Sequence, residues 1–253
     1  MENPTNRFKA ALKRGERQIG FWNTIPDPSV VEALSTLNYD WLLIDTEHTP
    51  IDPPNVMSLL QAAAPYDVTP IVRPVVNDTA LIKRYLDIGA QTLLVPFVQT
   101  VDEAKAAVAA CRYAPEGVRG IGGSTRASRF GQIKDYATIA SSEICLLVQV
   151  ETVEAMKILE KIAKVDGIDG VFIGPGDLSA SMGLPGQANH PKVVEACLDA
   201  IKRLKKIGVP AGILCQDDLL AKGYIDAGAL FTAVGVDLPL LVRGAETKWA
   251  GFL

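Results

Sequence analysis

The chain has 253 residues, 48% of them apolar and 21% charged, and a formal net charge of −4. A length near ~250 residues suits a single α/β barrel, and the acid excess argues against nucleic acid or an anionic membrane as main partner, since both recruit basic patches. No apolar run approaches the ~20 residues that span a bilayer, the opening MENPTNRFKA holds no signal-type stretch, and Cys111, Cys145, Cys197 and Cys215 lack CxxC spacing and read as reduced thiols, so the cytoplasm is expected.

Strand-length apolar runs alternate with segments of helical periodicity along the whole chain. The first strand, 18–24, ends in FWNTIPDP, without the GxGxxG turn of an open dinucleotide-binding sheet. A helix over 29–37 leads to a strand at 40–45 that runs into Asp45, Glu47 and His48. A helix over 55–64 precedes the strand 70–74, which carries Arg73, and a helix over 79–88 precedes the strand 92–98. Next come a helix over 102–111 and a glycine-rich basic segment, 119–129 (RGIGGSTRASR). The strand 144–150 ends in Gln149 and Glu151, followed by a helix over 153–162. The strand 170–173 runs into Gly174, Gly176 and Asp177. Helices over 191–207 and 217–227 flank a strand at 211–215, and the last strand, 230–236, meets Asp237. The apolar segment 239–252 reads as a further helix, costly to expose, and is expected to pack on a neighbouring subunit.

Most of these strands are continuously apolar, as parallel strands covered on both faces must be. A helix tail, a small turn and an apolar strand recur in LSTLNYDWLLID, YLDIGAQTLLVPF, IAKVDGIDGVFIGP and YIDAGALFTAVGV, with Gly89, Gly167 and Gly228 at left-handed helix ends. Eight βα units without a composition break predict a single (β/α)₈ TIM barrel over residues 1–253.

Barrel catalysts carry their chemistry at the C-terminal ends of strands. Those positions here collect Asp45, Glu47, His48, Arg73, Gln149, Glu151, Asp177 and Asp237, and no lysine, which a Schiff-base aldolase would need. Glu151 and Asp177 are hard oxygen ligands on neighbouring strand ends and suit Mg²⁺ or Mn²⁺; the alternative is that each caps the helix after it. His48 is a mouth-facing base or an ordinary surface histidine, while His190 precedes a helix-opening proline and reads as structural. Arg73 faces either an anionic substrate or a salt bridge to Asp45 or Glu47. Asp87 stands at a helix C-terminus, where an anion is disfavoured, although Asp226 repeats the pattern. The 119–129 loop, with Arg126, is expected to reach an anionic group at the far end of the substrate, against the alternative of solvated arginines on a mobile loop.

The segments LLIDTEHTP, PIVRP, LIKRYLDIG, TLLVPFVQT, RYAPEGVRGIG, LVQVET, GVFIGPGDLSASMG and FTAVGVD resemble the class II pyruvate aldolases, from about Phe8 to Leu241. That family includes 4-hydroxy-2-oxoheptanedioate aldolase, closest in LLIDTEHTP and TLLVPFVQTVDEA, and the 2-dehydro-3-deoxy-sugar-acid aldolases, toward which STRASRFG leans. The resemblance implies a phosphoenolpyruvate/pyruvate-type barrel that cleaves a 4-hydroxy-2-oxo acid to pyruvate and an aldehyde, with 4-hydroxy-2-oxoheptanedioate giving succinate semialdehyde as the leading substrate. It implies a divalent metal (Mg²⁺, Mn²⁺ or Co²⁺) on Glu151 and Asp177, with Gln149 beside it. Arg73 is then on the keto or enolate oxygen, and His48 is general base with Asp87 raising its basicity. The Gly176 backbone is on the pyruvate carboxylate, where relatives carry alanine, serine or threonine. A homohexamer, a dimer of trimers using the C-terminal helix, is implied too. An acyl-CoA lyase of the citrate lyase type and a non-catalytic barrel subunit are the competing readings.

Overall fold

Strands buried on both faces need apolar side chains in both directions, and runs such as WLLID and CLLVQV supply them. In the computed structural model, which describes residues 1–252, eight such strands pair in parallel and in chain order, and the last closes on the first. They are β1 (Gln18–Asn23), β2 (Trp41–Asp45), β3 (Thr69–Arg73), β4 (Thr92–Val95), β5 (Cys145–Val150), β6 (Gly170–Ile173), β7 (Ala211–Leu214) and β8 (Phe231–Val236). The expected (β/α)₈ barrel is therefore present, with strand limits within a few residues of those read from the sequence.

Twelve helices occur among the described residues: α1 (Arg7–Lys13), α2 (Pro28–Ser35), α3 (Pro53–Ala63), α4 (Thr79–Asp87), α5 (Val101–Cys111), α6 (Tyr136–Glu143), α7 (Val153–Lys157), α8 (Leu159–Ala163), α9 (Pro175–Ser181), α10 (Pro191–Lys206), α11 (Asp218–Ala227) and α12 (Asp237–Ala250). None is long and apolar enough to cross a membrane. The single helix expected over 153–162 is two, offset at Ile158 (φ −117°, ψ 19°), and the offset lets Ala155 and Met156 of the first half and Leu159 and Ile162 of the second all be buried. Gly89, Gly167 and Gly228 do take positive φ.

The barrel interior is a packed core rather than a pore. Phe8 of α1 sits edge-on to Trp41 and Phe231, with ring centroids 6.1 and 5.7 Å away, and closes the end where the strands begin. Gly20 and Gly212 make room for these rings, since a Cβ there would lie about 2 Å from Trp41 and Phe231 respectively. Alternate strand residues point outward into a second cluster, shared with the helices.

Strand and helix run in opposite directions in every βα unit, so helix C-termini and the loops after them lie at the face where strands start. That geometry places the 119–129 loop and Asp87 at the face opposite the mouth. Arg126 Nη1 donates to Ile88 O at 2.9 Å, the Ala127 amide donates to Asp87 O at 3.1 Å, and Met1 N donates to Gln132 O. The loop thus covers the N-terminal face of its own barrel. It cannot reach a substrate in its own chain's mouth.

Helix α12 begins at Asp237, two residues before the expected start, and leaves the barrel with Leu238, Leu240, Leu241, Val242 and Trp249 exposed.

Candidate active site

At the C-terminal face, β2 and β3 place Asp45 and Arg73 directly opposite one another in register. Both are buried, and the guanidinium forks onto the carboxylate, Nε to Oδ1 at 2.9 Å and Nη2 to Oδ2 at 2.7 Å. Its remaining nitrogen, Nη1, pairs with Glu47 Oε2 at 2.8 Å and donates to Gln149 Oε1 at 3.4 Å. The guanidinium lies 4.9 Å over the ring of Trp22, whose indole N–H donates to Asp45 Oδ2 at 3.3 Å. Both acids offered as partners for Arg73 are therefore engaged. Burial pushes the Asp45 carboxyl up, but its bonds and charge contact with Arg73, the Glu47 amide and the Trp22 indole hold it below the ordinary value.

Glu151 follows β5 and is 1% exposed. Its Oε1 accepts the Phe97 amide at 2.8 Å and its Oε2 accepts Gln149 Nε2 at 2.7 Å. No cation pairs with it, and its proton is held to about 7: burial is the main cause, and the charges of Asp177 and Glu47 add to it. Glu47 is likewise raised, first by burial, then by Asp45 and Asp177 against the opposing pull of Arg73. Gly174 has no side chain for a concrete reason, since a Cβ there would stand 2.3 Å from Glu151 Oε2. Gly176 is different: nothing lies within 4 Å of its Cβ position.

Neither acid makes a helix-cap hydrogen bond among the described residues. Helix α7 is capped by Thr152 rather than Glu151, and α9 has Gly174 at its N-cap with no side-chain bond. Asp177 is exposed in the first turn of α9 and accepts no hydrogen bond among the described residues. Asp237 is structural. It accepts Asn23 Nδ2 at 2.6 Å, the Thr24 amide and hydroxyl and the Ile25 amide, and so ties the end of β1 to that of β8. His190 caps α10 through Nδ1, 3.2 Å from the Lys192 amide, as expected of a structural histidine.

His48 projects from the mouth with 67% of its side chain exposed, and its nearest acid is Glu47, with Nε2 3.8 Å from Oε2. Asp87 is elsewhere, at the opposite face, where Arg119 donates to it at 2.8 Å. The Arg119 guanidinium is buried and lies over Tyr113 at 4.5 Å, and its Nε and Nη1 find no partner. One chain therefore brings Arg73, Gln149, Glu151, Asp177, Gly176 and His48 to one mouth and leaves Asp87 and Arg126 at the other end. No lysine lies on a strand; all are on helices or on the loops at 134 and 164.

Two residues of the site escape sequence reading. Trp22 shares the inward parity of Gly20 on β1 and floors the Arg73–Asp45 pair, so its position, two beyond a glycine in QIGFWN, was a usable signal. Phe97 gave none. It holds φ 52°, a left-handed conformation that costs an ordinary residue ~1–2 kcal/mol, and thereby turns its amide toward Glu151.

The donor set can be tested against a divalent cation. Asp45, Glu47, Glu151 and Asp177 face a single cation, Arg73, already committed to the first two. Among the described residues no group of three or more His, Cys, Asp or Glu side chains is placed to hold a metal ion by itself. Two carboxylates short of positive charge, Glu151 buried and Asp177 exposed at the mouth, fit an octahedral ion that keeps most of its sites for water and substrate. They do not fit a structural zinc.

Comparison with known proteins agrees with this architecture. The chain is 58% identical to a pyruvate aldolase of Rhizobium etli over 252 residues, 100% of this chain and 99% of the relative. It is 56% identical to a hydroxypyruvate/pyruvate aldolase of Sagittula stellata, covering 99% of each. Identity is 52% to a 4-hydroxy-2-oxo-heptane-1,7-dioate aldolase of Salmonella paratyphi A, covering 98% of this chain and 94% of the relative. A crystal structure of a family protein from Burkholderia cenocepacia J2315 superposes with a TM-score of 0.94 at 36% identity, covering 98% of this chain and 99% of that one. The family model described as HpcH/HpaI aldolase/citrate lyase matches residues 18–244, and this chain belongs to that family.

Proposed function

We propose that this chain is a divalent-metal-dependent class II pyruvate aldolase that reversibly cleaves a 4-hydroxy-2-oxo acid to pyruvate and an aldehyde. The observation that carries this reading is the buried Glu151 carboxylate, opposed by Asp177 and Glu47 and paired with no cation. A Mg²⁺, Mn²⁺ or Co²⁺ ion held by Glu151 and Asp177 would supply Lewis-acid stabilisation of the oxygen that gains charge.

The chain's own groups divide the remaining work. His48, exposed at the mouth, takes the proton of the C4 hydroxyl directly or through water. The C3–C4 bond breaks, its electron pair stays with the pyruvate fragment, and C4 becomes the aldehyde carbon. Arg73, fixed by its fork onto Asp45, exchanges the long contact of Nη1 with Gln149 for the oxygen of the fragment that carries the charge, a donor of the kind worth ~3–4 kcal/mol. Return of the proton to C3 gives pyruvate. The Gly176 backbone faces the carboxylate, and the open space at its missing Cβ leaves room for a 2-oxo acid larger than pyruvate. The relatives named for pyruvate and hydroxypyruvate support that choice of donor, and the heptanedioate relative supports succinate semialdehyde as the first aldehyde to assay.

Roles for Asp87 and Arg126 toward substrate require a second copy, whose N-terminal face covers this mouth. Two apolar surfaces support such a head-to-tail contact: exposed Val118, Ile121 and Phe130 on the loop side, and Val75, Val76 and Phe97 at the mouth. A heterologous contact of this kind closes into a ring, and pairing two rings through the exposed apolar face of α12 gives a homohexamer, a dimer of trimers. The four free, buried cysteines suit a reducing compartment, and we assign the enzyme to the cytoplasm.

The test is retro-aldol cleavage of 4-hydroxy-2-oxo acids, read as pyruvate release, before and after removal of divalent ions. Chelation should abolish turnover, Mg²⁺, Mn²⁺ or Co²⁺ should restore it, and borohydride with pyruvate should leave no adduct. A trapped pyruvyl-lysine, with chelator inert, would refute the assignment.

A further inference from the structure

Among the described residues four non-glycine residues take positive φ: Phe97, Arg129, Phe130 and Asp135. The last three belong to the loop on the N-terminal face or to its exit into α6, and Phe97 alone stands at the mouth. Its side chain is 56% exposed, so burial of the ring does not impose the conformation. The neighbours do. Pro96 and Val98 are both buried, and the Val98 amide donates to Gln149 O at 3.0 Å, which pins the chain just past the end of β4. With both sides fixed, the left-handed turn at 97 is what aims its N–H at Glu151 Oε1, 2.8 Å away.

That bond has no substitute. Glu151 Oε1 has this amide as its one donor, and Oε2 has Gln149 Nε2, itself tied to Arg73. The two donors together set the plane of the carboxylate. From this geometry we infer that Phe97 is a positioning residue for Glu151, acting through its backbone conformation and not its ring, so that the left-handed turn after β4 presets the carboxylate that holds the cation. The inference rests on the metal-dependent reading above. It also specifies what position 97 selects for: a residue that tolerates positive φ, with the ring free to serve the mouth.

Side chains differ sharply in tolerance of that region. Glycine and asparagine enter it readily, whereas β-branched residues are outliers there. The experiment titrates Mn²⁺ into the full-length, metal-stripped protein, reading free Mn²⁺ by electron paramagnetic resonance, for wild type, Phe97→Gly, Phe97→Asn and Phe97→Val. Phe97→Gly and Phe97→Asn should bind within about twofold of wild type, and Phe97→Val should bind about tenfold more weakly, roughly 1.4 kcal/mol. A role for the ring predicts the opposite grouping, with all three variants weakened together, and that result overturns the inference. Equal affinity across the series overturns it as well. Wild-type protein that binds no Mn²⁺ would remove the metal site and this inference with it, an outcome distinct from a wild type that binds beside a flat series.

Discussion

In the absence of metal, Glu151→Gln should make the protein more stable at pH 8 and change it little at pH 5. The folded state holds the Glu151 proton to about 7, against an ordinary 4.5. Because folding raises this value, the ionised carboxylate destabilises the native state. The penalty is absent below about pH 4.5, grows as the pH rises, and is complete above about 7. At about 1.4 kcal/mol for each tenfold difference in proton affinity, it amounts to roughly 3 kcal/mol at pH 8. The amide removes the charge at a local cost. Gln149 Nε2 now donates to Oε2, and an NH₂ in that place would face it donor to donor, a loss of about 1 kcal/mol. The net gain is about 2 kcal/mol, or roughly 4–8 °C in Tm for a chain of this size. Thermal melts of chelated wild type and variant at pH 5 and pH 8 measure it directly. Adding Mn²⁺ at about a hundred times its Kd should then stabilise wild type by about 2.7 kcal/mol and the variant far less, which reverses the order. A variant less stable than wild type at both pH values, or a difference that does not change with pH, would refute the electrostatic argument.

Other substitutions separate the remaining parts. Arg73→Lys should lower kcat by about 10²–10³-fold, since an ammonium cannot keep both bonds to Asp45 while presenting a donor beside Gln149; pyruvate release measures it. Gly174→Ala should weaken Mn²⁺ binding because its Cβ would displace Glu151, whereas Gly176→Ala, with open space around it, should keep the metal and alter preference among 2-oxo acids; calorimetric titration and donor competition read the two effects. His48→Ala and Asp87→Asn, each impaired alone, should regain activity when their subunits are mixed and reassembled, with about a quarter of the sites restored by random assortment in a head-to-tail ring. Arg126→Ala should change selectivity among aldehydes while sparing proton exchange at the pyruvate methyl, which nuclear magnetic resonance follows in deuterated water.

The barrel was legible because its signals are local. Continuous apolar runs mark each strand, glycines end α4 and α11, and the acids after β2, β5 and β6 stand where a strand reader looks for them. Position alone singled out Arg73, Glu151 and Asp177 as candidates. The side of the molecule was left unread. Asp87 and the 119–129 loop are conspicuous in the sequence, yet a helix that follows a strand returns the chain to the opposite face, and the alternation already implied that they lie there. Phe97 was out of reach for another reason: a left-handed residue that is neither glycine nor asparagine has no compositional mark, and its amide meets Glu151 across 54 residues of chain. Helix α1 was missed because its buried face, Phe8, Ala11 and Leu12, is too short to show a period.

That short helix bears on how the protein is made. Asn6 is held by Gln91, Thr92 and Glu143, and Phe8 packs on Trp41 and Phe231, so the anchors at the start of the chain are not all in place until β8 exists. Ribosomes add ~5–20 residues per second, and synthesis from Phe8 to Phe231 therefore takes roughly 10–45 s. Throughout that interval the barrel lacks its final staves, and its bung hangs free with an apolar face in water. A nascent chain in this state is a natural client for chaperones. Anything joined ahead of α1 would be carried along by a segment that docks late.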